Sequence, residues 1–249
     1  MTAQLTRIDL PEPRSVDFSS LSRDRLEDME AAGREVLDCH RVLAKTSHNI
    51  VGEVLRDQGK FYEWNHYPEG DLYDHITHAQ FYYHAHPQEL RGGEHGHFHT
   101  FLRPQGMPKG VQPALVPDLV LPEGENEALS HLIAISMDPS GVPIRLFTTN
   151  RWVTGEVWYA ADDVRAMLDS FEIDLALPSW PVNRWIGAMV RLFRPQIGAL
   201  IDARDGAVEA WTGAYPDRDV YEDRELELTS VMDIDTDAQI AAVSAALVA

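Results

Sequence analysis

The sequence predicts an α+β fold, with an antiparallel sheet of four to six strands packed against helices drawn from both ends of the chain. Three observations predict it. Apolar residues recur at steps of three and four between Leu26 and Val54. Between residues 79 and 152 the pattern changes to short aromatic and β-branched runs of period two. After Glu156 the helical steps return.

The elements follow in order. Residues 1–20 are polar and contain prolines, which predicts a surface arm ahead of a single domain over 21–249. Leu26, Met29, Gly33, Val36, His40, Leu43, Ser47, Ile50 and Val54 then form one helical seam, with Ser22 placed to cap it and Gly59 to stop it. Gly33 on that seam marks either a close approach by another element or a weak helix position. Residues 60–78 are aromatic and read as irregular. AQFYYHAHP (79–87) and EHGHFHTFLR (94–103) have strand character, as do LSHLIAISMD (129–138) and PIRLFTTNRW (143–152). Pro139-Ser140-Gly141 joins the second pair as a tight turn. Five of the fifteen prolines lie in 104–128, which therefore reads as a long ordered loop or lid. Val164, Met167, Leu168 and Phe171 mark a short helix behind Asp162 or Asp163. A further helix begins near Pro181, Pro195 must end or kink it, and another restarts over 195–204. Residues 225–234 alternate like a late strand, and 236–248 form a terminal helix.

Charge narrows the function. Twenty-one Lys and Arg stand against 40 Asp and Glu, a formal net charge of −19, so nucleic acid and anionic membrane are not expected partners. No stretch approaches the roughly 18 apolar residues of a membrane span, and the N-terminal residues lack the apolar region of a secretory signal. Cys39 is the single cysteine, which excludes an intrachain disulfide and a thiolate cluster. A cytoplasmic protein acting on a small molecule or peptide is the expectation.

Eight of the eleven histidines fall between His66 and His99, and that concentration locates the chemistry. On a strand, residues two apart share a face about 6.7 Å apart, so two imidazoles can converge on one ion through bonds of about 2.1 Å. Three in a row span about 13 Å, too far for all to reach one ion without bending. Register between the two histidine strands then decides the site. Pairing His84 with His97 also pairs His86 with His95 and Tyr82 with His99, and all five histidines share a face. A slip of one residue divides them between faces and leaves Glu94 facing His84 and His86. The first register gives the denser site and is the one expected. It makes His84, His86, His97 and His99 the candidate metal ligands and Glu94 and His95 the candidate catalytic pair. His131 enters from the next strand, and His75 and His78 lie just upstream.

Burying so many imidazoles without a metal or a proton-transfer role would leave many polar groups in need of partners. One first-row transition ion, Fe(II) or Zn(II), is the expected cofactor of a metal-dependent enzyme, with oxidation at non-heme iron as the first expectation and zinc-type hydrolysis as the second. A carboxylate completing two histidines, from Glu94, Glu156 or Asp74, favours non-heme iron. Three histidines with an open position favour zinc and hydrolytic chemistry. The alternative is a non-catalytic metal- or heme-binding accessory or sensor protein.

A second polar run, Thr148-Thr149-Asn150-Arg151-Trp152-Val153-Thr154-Gly155-Glu156, leaves the fourth predicted strand. Asn150 and Arg151 here either orient a substrate, together with His131, or serve a turn that caps the next helix. Together, EHGHFHTFL and LFTTNRWVTGE resemble an uncharacterised bacterial family known only as a domain of unknown function. The resemblance extends from the first helix to about residue 200. It implies no activity and no residue roles.

Overall fold

The computed structural model describes residues 10–87, 93–117 and 119–248. Among them, six strands form one sheet in the order β1-β2-β3-β4-β5-β6, each antiparallel to the next. The strands are β1 Tyr67–Tyr73, β2 Ala79–His84, β3 Gly96–Leu102, β4 Ser130–Met137, β5 Pro143–Thr149 and β6 Leu228–Asp233. Helices from both ends of the chain complete an α+β fold: α1 Arg23–Ala44, α2 Ile50–Val54, α3 Arg151–Thr154, α4 Ala161–Met167, α5 Trp180–Leu192, α6 Arg194–Ala214 and α7 Thr236–Val248.

The two sheet faces have different fates. Phe81, Tyr83, Phe98, Ile133, Ile135 and Leu146 pack with α1, α2, α5 and α6 into the main core. Their alternate neighbours Tyr82, His84, His97, His99, Phe101 and Phe147 line a cavity on the opposite face. α1 packs against α5 and α7. At Gly33 of α1, an added Cβ would lie 2.8 Å from an Ile240 side-chain carbon, so the glycine marks the close approach of α7.

Ser22 caps α1 by accepting from the backbone N–H of Arg25. The helical seam does not run unbroken to Val54, however. α1 ends at Ala44, Ser47 adopts a φ of +57°, and Asn49 caps a separate α2 by accepting from Gly52. Ser and Asn next to the apolar seam compete for backbone hydrogen bonds and restart the helix.

The stretch read as irregular contains β1. Pro68 hides its period, and the positive φ values of Gly70 (+79°) and Asp71 (+62°) sit within a bulge that breaks the alternation. The turn at 139–141 is present, with Asp138 Oδ1 accepting from Ser140 and Val142 and a φ of +77° at Gly141. Pro195 lies in the first turn of α6, and α6 runs ten residues past the end expected for it. The segment 104–128, read as an ordered loop or lid, places none of its described residues on the cavity wall. Its Met107, Val111 and Leu119 pack on the main core, while Ala114 and Val116 pack on a second cluster of Trp158, Val208, Trp211, Val220 and Leu226. Apolar side chains spaced among its prolines pin it to the body. Most of the connection expected at 87–93, and the first nine residues of the expected arm, lie outside the described residues.

Candidate metal centre

β2 and β3 pair with Tyr82 opposite His99 and His84 opposite His97. This is the register expected from the histidine spacing, and it brings three imidazoles together. The ligand atoms of His84, His97 and His99 all lie within 4.8 Å of one another, close enough to hold one metal ion. His84 Nε2 and His97 Nε2 are 2.7 Å apart. Two nitrogens bound to one ion at about 2.1 Å stand roughly 3–3.5 Å apart, a spacing that lies between these two values.

Each imidazole on β3 is held from behind. His97 Nδ1 lies 2.7 Å from Glu94 Oε1, and Ser136 Oγ donates to Glu94 Oε2 at 2.6 Å. A carboxylate accepts and cannot donate, so this contact puts the His97 proton on Nδ1 and turns the Nε2 lone pair to the site. His99 Nδ1 lies 3.0 Å from His131 Nε2, which leaves His99 Nε2 for the site. Burial, with Arg204 and His97 nearby, pushes His131 down to about 3, so its ring is neutral. His131 reaches this position through an irregularity in the β3–β4 pairing that sets it opposite Phe101. Its backbone N–H donates to Glu156 Oε2 at 2.7 Å. Burial raises Glu156 to about 8 in spite of Arg204 nearby.

The centre opens on a cavity of about 970 Å³. Rings form its walls close to the histidines: Phe147 is 5.1 Å from His97 between centroids, and Tyr82 is 5.1 Å from His99. His66 stacks on Tyr82 at 3.6 Å and pairs with Asp71 through Nδ1 at 2.9 Å. His86 lines the same cavity outside the three-atom cluster, with Trp64 edge-on to it at 4.3 Å. Ala134 on β4 lies between His99 and Phe147 in the strand ladder, and this small residue lets the two rings approach to 6.0 Å.

Other expected participants lie elsewhere. His95 does not share the histidine face. It precedes the β3 ladder, its Nδ1 shares a 2.6 Å hydrogen bond with the core-facing Tyr83 hydroxyl, and it is absent from the cavity wall. Burial pulls its pKa down. Glu94 supports His97 and Ser136 from a buried position on the wall. At Gly96 an added Cβ would lie 2.5 Å from the carbonyl oxygen of His84 and from the Tyr83 hydroxyl, so only glycine fits beside them.

Asn150 caps α3 and donates to the carbonyl of Val220 at 2.7 Å. Arg151 donates to the carbonyl of Glu156 and pairs with Glu222. Neither lines the cavity, so the turn reading accounts for both. Their neighbours Thr149, Trp152, Val153 and Thr154 line it instead. Asp74 is spent on the backbone N–H groups of Ile76, Thr77 and Asp174, which hold its carboxyl below the usual range against the opposing effect of burial. His78 bonds Tyr73, and His75 packs on the same ring. Sequence reasoning passed over His66, Asp71 and Trp152 as site residues. The first two fall in a stretch read as irregular, and Trp152 lies in the polar run that leaves the fourth predicted strand.

Among the described residues, no helix is long and apolar enough to cross a membrane. No curated protein and no solved structure matches the chain. Residues 30–234, which include both EHGHFHTFL and LFTTNRWVTGE, match a family-wide pattern, and the chain belongs to the family described as Domain of unknown function (DUF6969).

Proposed function

We propose that this protein is a metal-dependent enzyme whose single first-row transition ion is held by His84, His97 and His99 and acts on a small molecule in the adjoining cavity. The observation that carries this reading is the convergence of three imidazoles, two of them held from behind, at the wall of a 970 Å³ cavity. A carrier of the bare ion needs the ligands but has no use for an adjoining chamber of substrate size.

The donor set favours zinc-type hydrolysis over oxidation at non-heme iron. Glu94 directs its two oxygens to His97 and Ser136, which leaves three neutral nitrogens as the ligand set. Three neutral donors leave an ion its full charge, and such an ion polarises a substrate oxygen and acidifies a bound water. Glu94 would then act as a positioning residue that sets the His97 tautomer.

The test is elemental analysis of untagged protein prepared under nitrogen, with an absorption spectrum of the same sample. Close to one ion per chain is expected, with zinc in a colourless protein or cobalt giving a tetrahedral spectrum after exchange. Well below half an ion after reconstitution with zinc and with iron would end the metal reading. Iron bound in preference to zinc would restore the oxidative chemistry.

A further inference from the structure

Arg145 reaches the cavity from the far side of the metal centre. His84, His97, Ser136, Arg145 and Asp233 stand opposite one another in turn across β2 to β6. Residues paired across antiparallel strands share a face, so this row carries Arg145 onto the face of the histidines, and it lines the cavity with them. Strands lie about 4.8 Å apart, which sets the Arg145 backbone roughly 10 Å from that of His97.

The guanidinium is oriented but not used up. Its Nε donates to Asp233 Oδ1 at 2.7 Å, and its two terminal nitrogens meet no acceptor among the described residues. That leaves the end-on pair of N–H groups, an edge that matches the two oxygens of a carboxylate. The Asp233 side chain is 78% exposed, so water screens the pair and a second anion can share the guanidinium.

Other guanidiniums near the cavity are committed elsewhere. Arg151 pairs with Glu222, and Arg103 is divided among Gln80, the Asn126 carbonyl and Glu127. Neither lines the cavity. Two acids on the wall are also engaged, Glu94 by His97 and Ser136 and Asp71 by His66 and Gln80. An ion bound by three neutral imidazoles adds its full charge to that of Arg145, so one negative charge entering the cavity is attracted from two points. A second charge on the same ligand would be set against Asp71, Glu94 and Glu227.

Building on the proposed metal centre, we infer that the substrate is a small monocarboxylate. Its carboxylate is held end-on by Arg145, and its uncharged reacting group reaches the ion across the row. Phe147, two residues along β5 on the same face, supplies an apolar side for the part of the molecule between them.

Calorimetric titration at neutral pH tests this with 4-phenylbutyrate, 4-phenylbutanamide and the dianion 2-(2-phenylethyl)malonate, which share one apolar body. Each is run on chelator-treated protein and on the zinc-loaded form, because a carboxylate can ligate an ion by itself. In the metal-free protein 4-phenylbutyrate should bind about 10- to 100-fold more tightly than its amide, as a hydrogen bond to a charged group provides, and more tightly than the malonate. Arg145→Gln should abolish the preference for acid over amide in that form. Asp233→Asn breaks the same ion pair but keeps the guanidinium, so it should retain the preference. Equal binding of acid and amide, or no binding of any probe, overturns the substrate class. A preference that survives Arg145→Gln, or that Asp233→Asn loses as well, overturns the anchor. Malonate binding as tightly as 4-phenylbutyrate overturns the restriction to one charge. Metal content measured on the same preparations separates the two readings. Protein that prefers the acid through Arg145 but holds no ion refutes the metal centre alone, and protein that holds an ion but shows no such preference refutes this inference alone.

Discussion

Replacing Glu94 by Gln keeps the shape of a buried side chain and removes its ability to accept twice. The native carboxylate takes a hydrogen bond from His97 Nδ1 at 2.7 Å through one oxygen and from Ser136 Oγ at 2.6 Å through the other. Gln has one accepting oxygen and a donating amide: either the oxygen keeps a neutral hydrogen bond from His97 while Ser136 Oγ turns to accept from the amide, so that the assistance of the charge is lost, or the amide faces His97 Nδ1 and that contact is lost outright. If His97 loses it, the ring is free to rotate or change tautomer and the Nε2 lone pair no longer points reliably at the site. Loss of such a supporting contact typically weakens a metal about 10- to 100-fold, which corresponds to roughly 1.4–2.7 kcal/mol. His97→Ala, which deletes the ligand itself, should cost more. Competition for zinc against a chromophoric chelator measures all of these. His95→Ala is the control: it removes the hydrogen bond to Tyr83 on the core side, so stability should fall while metal affinity holds. Parental affinity in Glu94→Gln, or a loss in His95→Ala as large as in Glu94→Gln, would refute the assignment of Glu94 to the ligand shell's support.

Three further outcomes are expected. Gly96→Ala should both destabilise the chain by about 1–3 kcal/mol and lower zinc affinity, since the new Cβ meets the His84 carbonyl at 2.5 Å and must push β2 from β3; a denaturant melt and the same competition assay report the two effects. Burial raises the Glu156 pKa from the ordinary carboxyl value of 4.5 to about 8, so across that window the unfolded chain releases a proton that the folded chain keeps. Folding stability should therefore fall as pH rises from about 4.5 to about 8, and urea melts should show a shallower slope in Glu156→Gln. Equal slopes would place the ionised form in the folded protein. Arg151→Lys should lower the melting temperature through lost contacts with Glu222 and the Glu156 carbonyl, and leave zinc binding unchanged.

The sheet and most of the helices were legible from local pattern, because burial of one face imposes a period of two on a strand and of about 3.6 on a helix. The register of β2 on β3 was legible too, since pairing His84 with His97 puts His84, His97 and His99 on a common face, whereas a single-residue slip would divide them. Breaks in pattern were harder to read. β1 stayed hidden behind Pro68 and a bulge at Gly70 and Asp71, and with it the placement of His66 against Tyr82. What lies behind and beyond the ladder was decided by tertiary structure alone. His95 Nδ1 meets the hydroxyl of the core-facing Tyr83, whereas Glu94, one residue earlier, swings in to reach His97 and Ser136. Glu156 is brought beside His131 across 25 residues of chain, and Arg151 is drawn from the cavity by Glu222, 71 residues away. Periodicity records which face a residue occupies. Which distant partner it meets there depends on how the elements pack, and no local spacing encodes that.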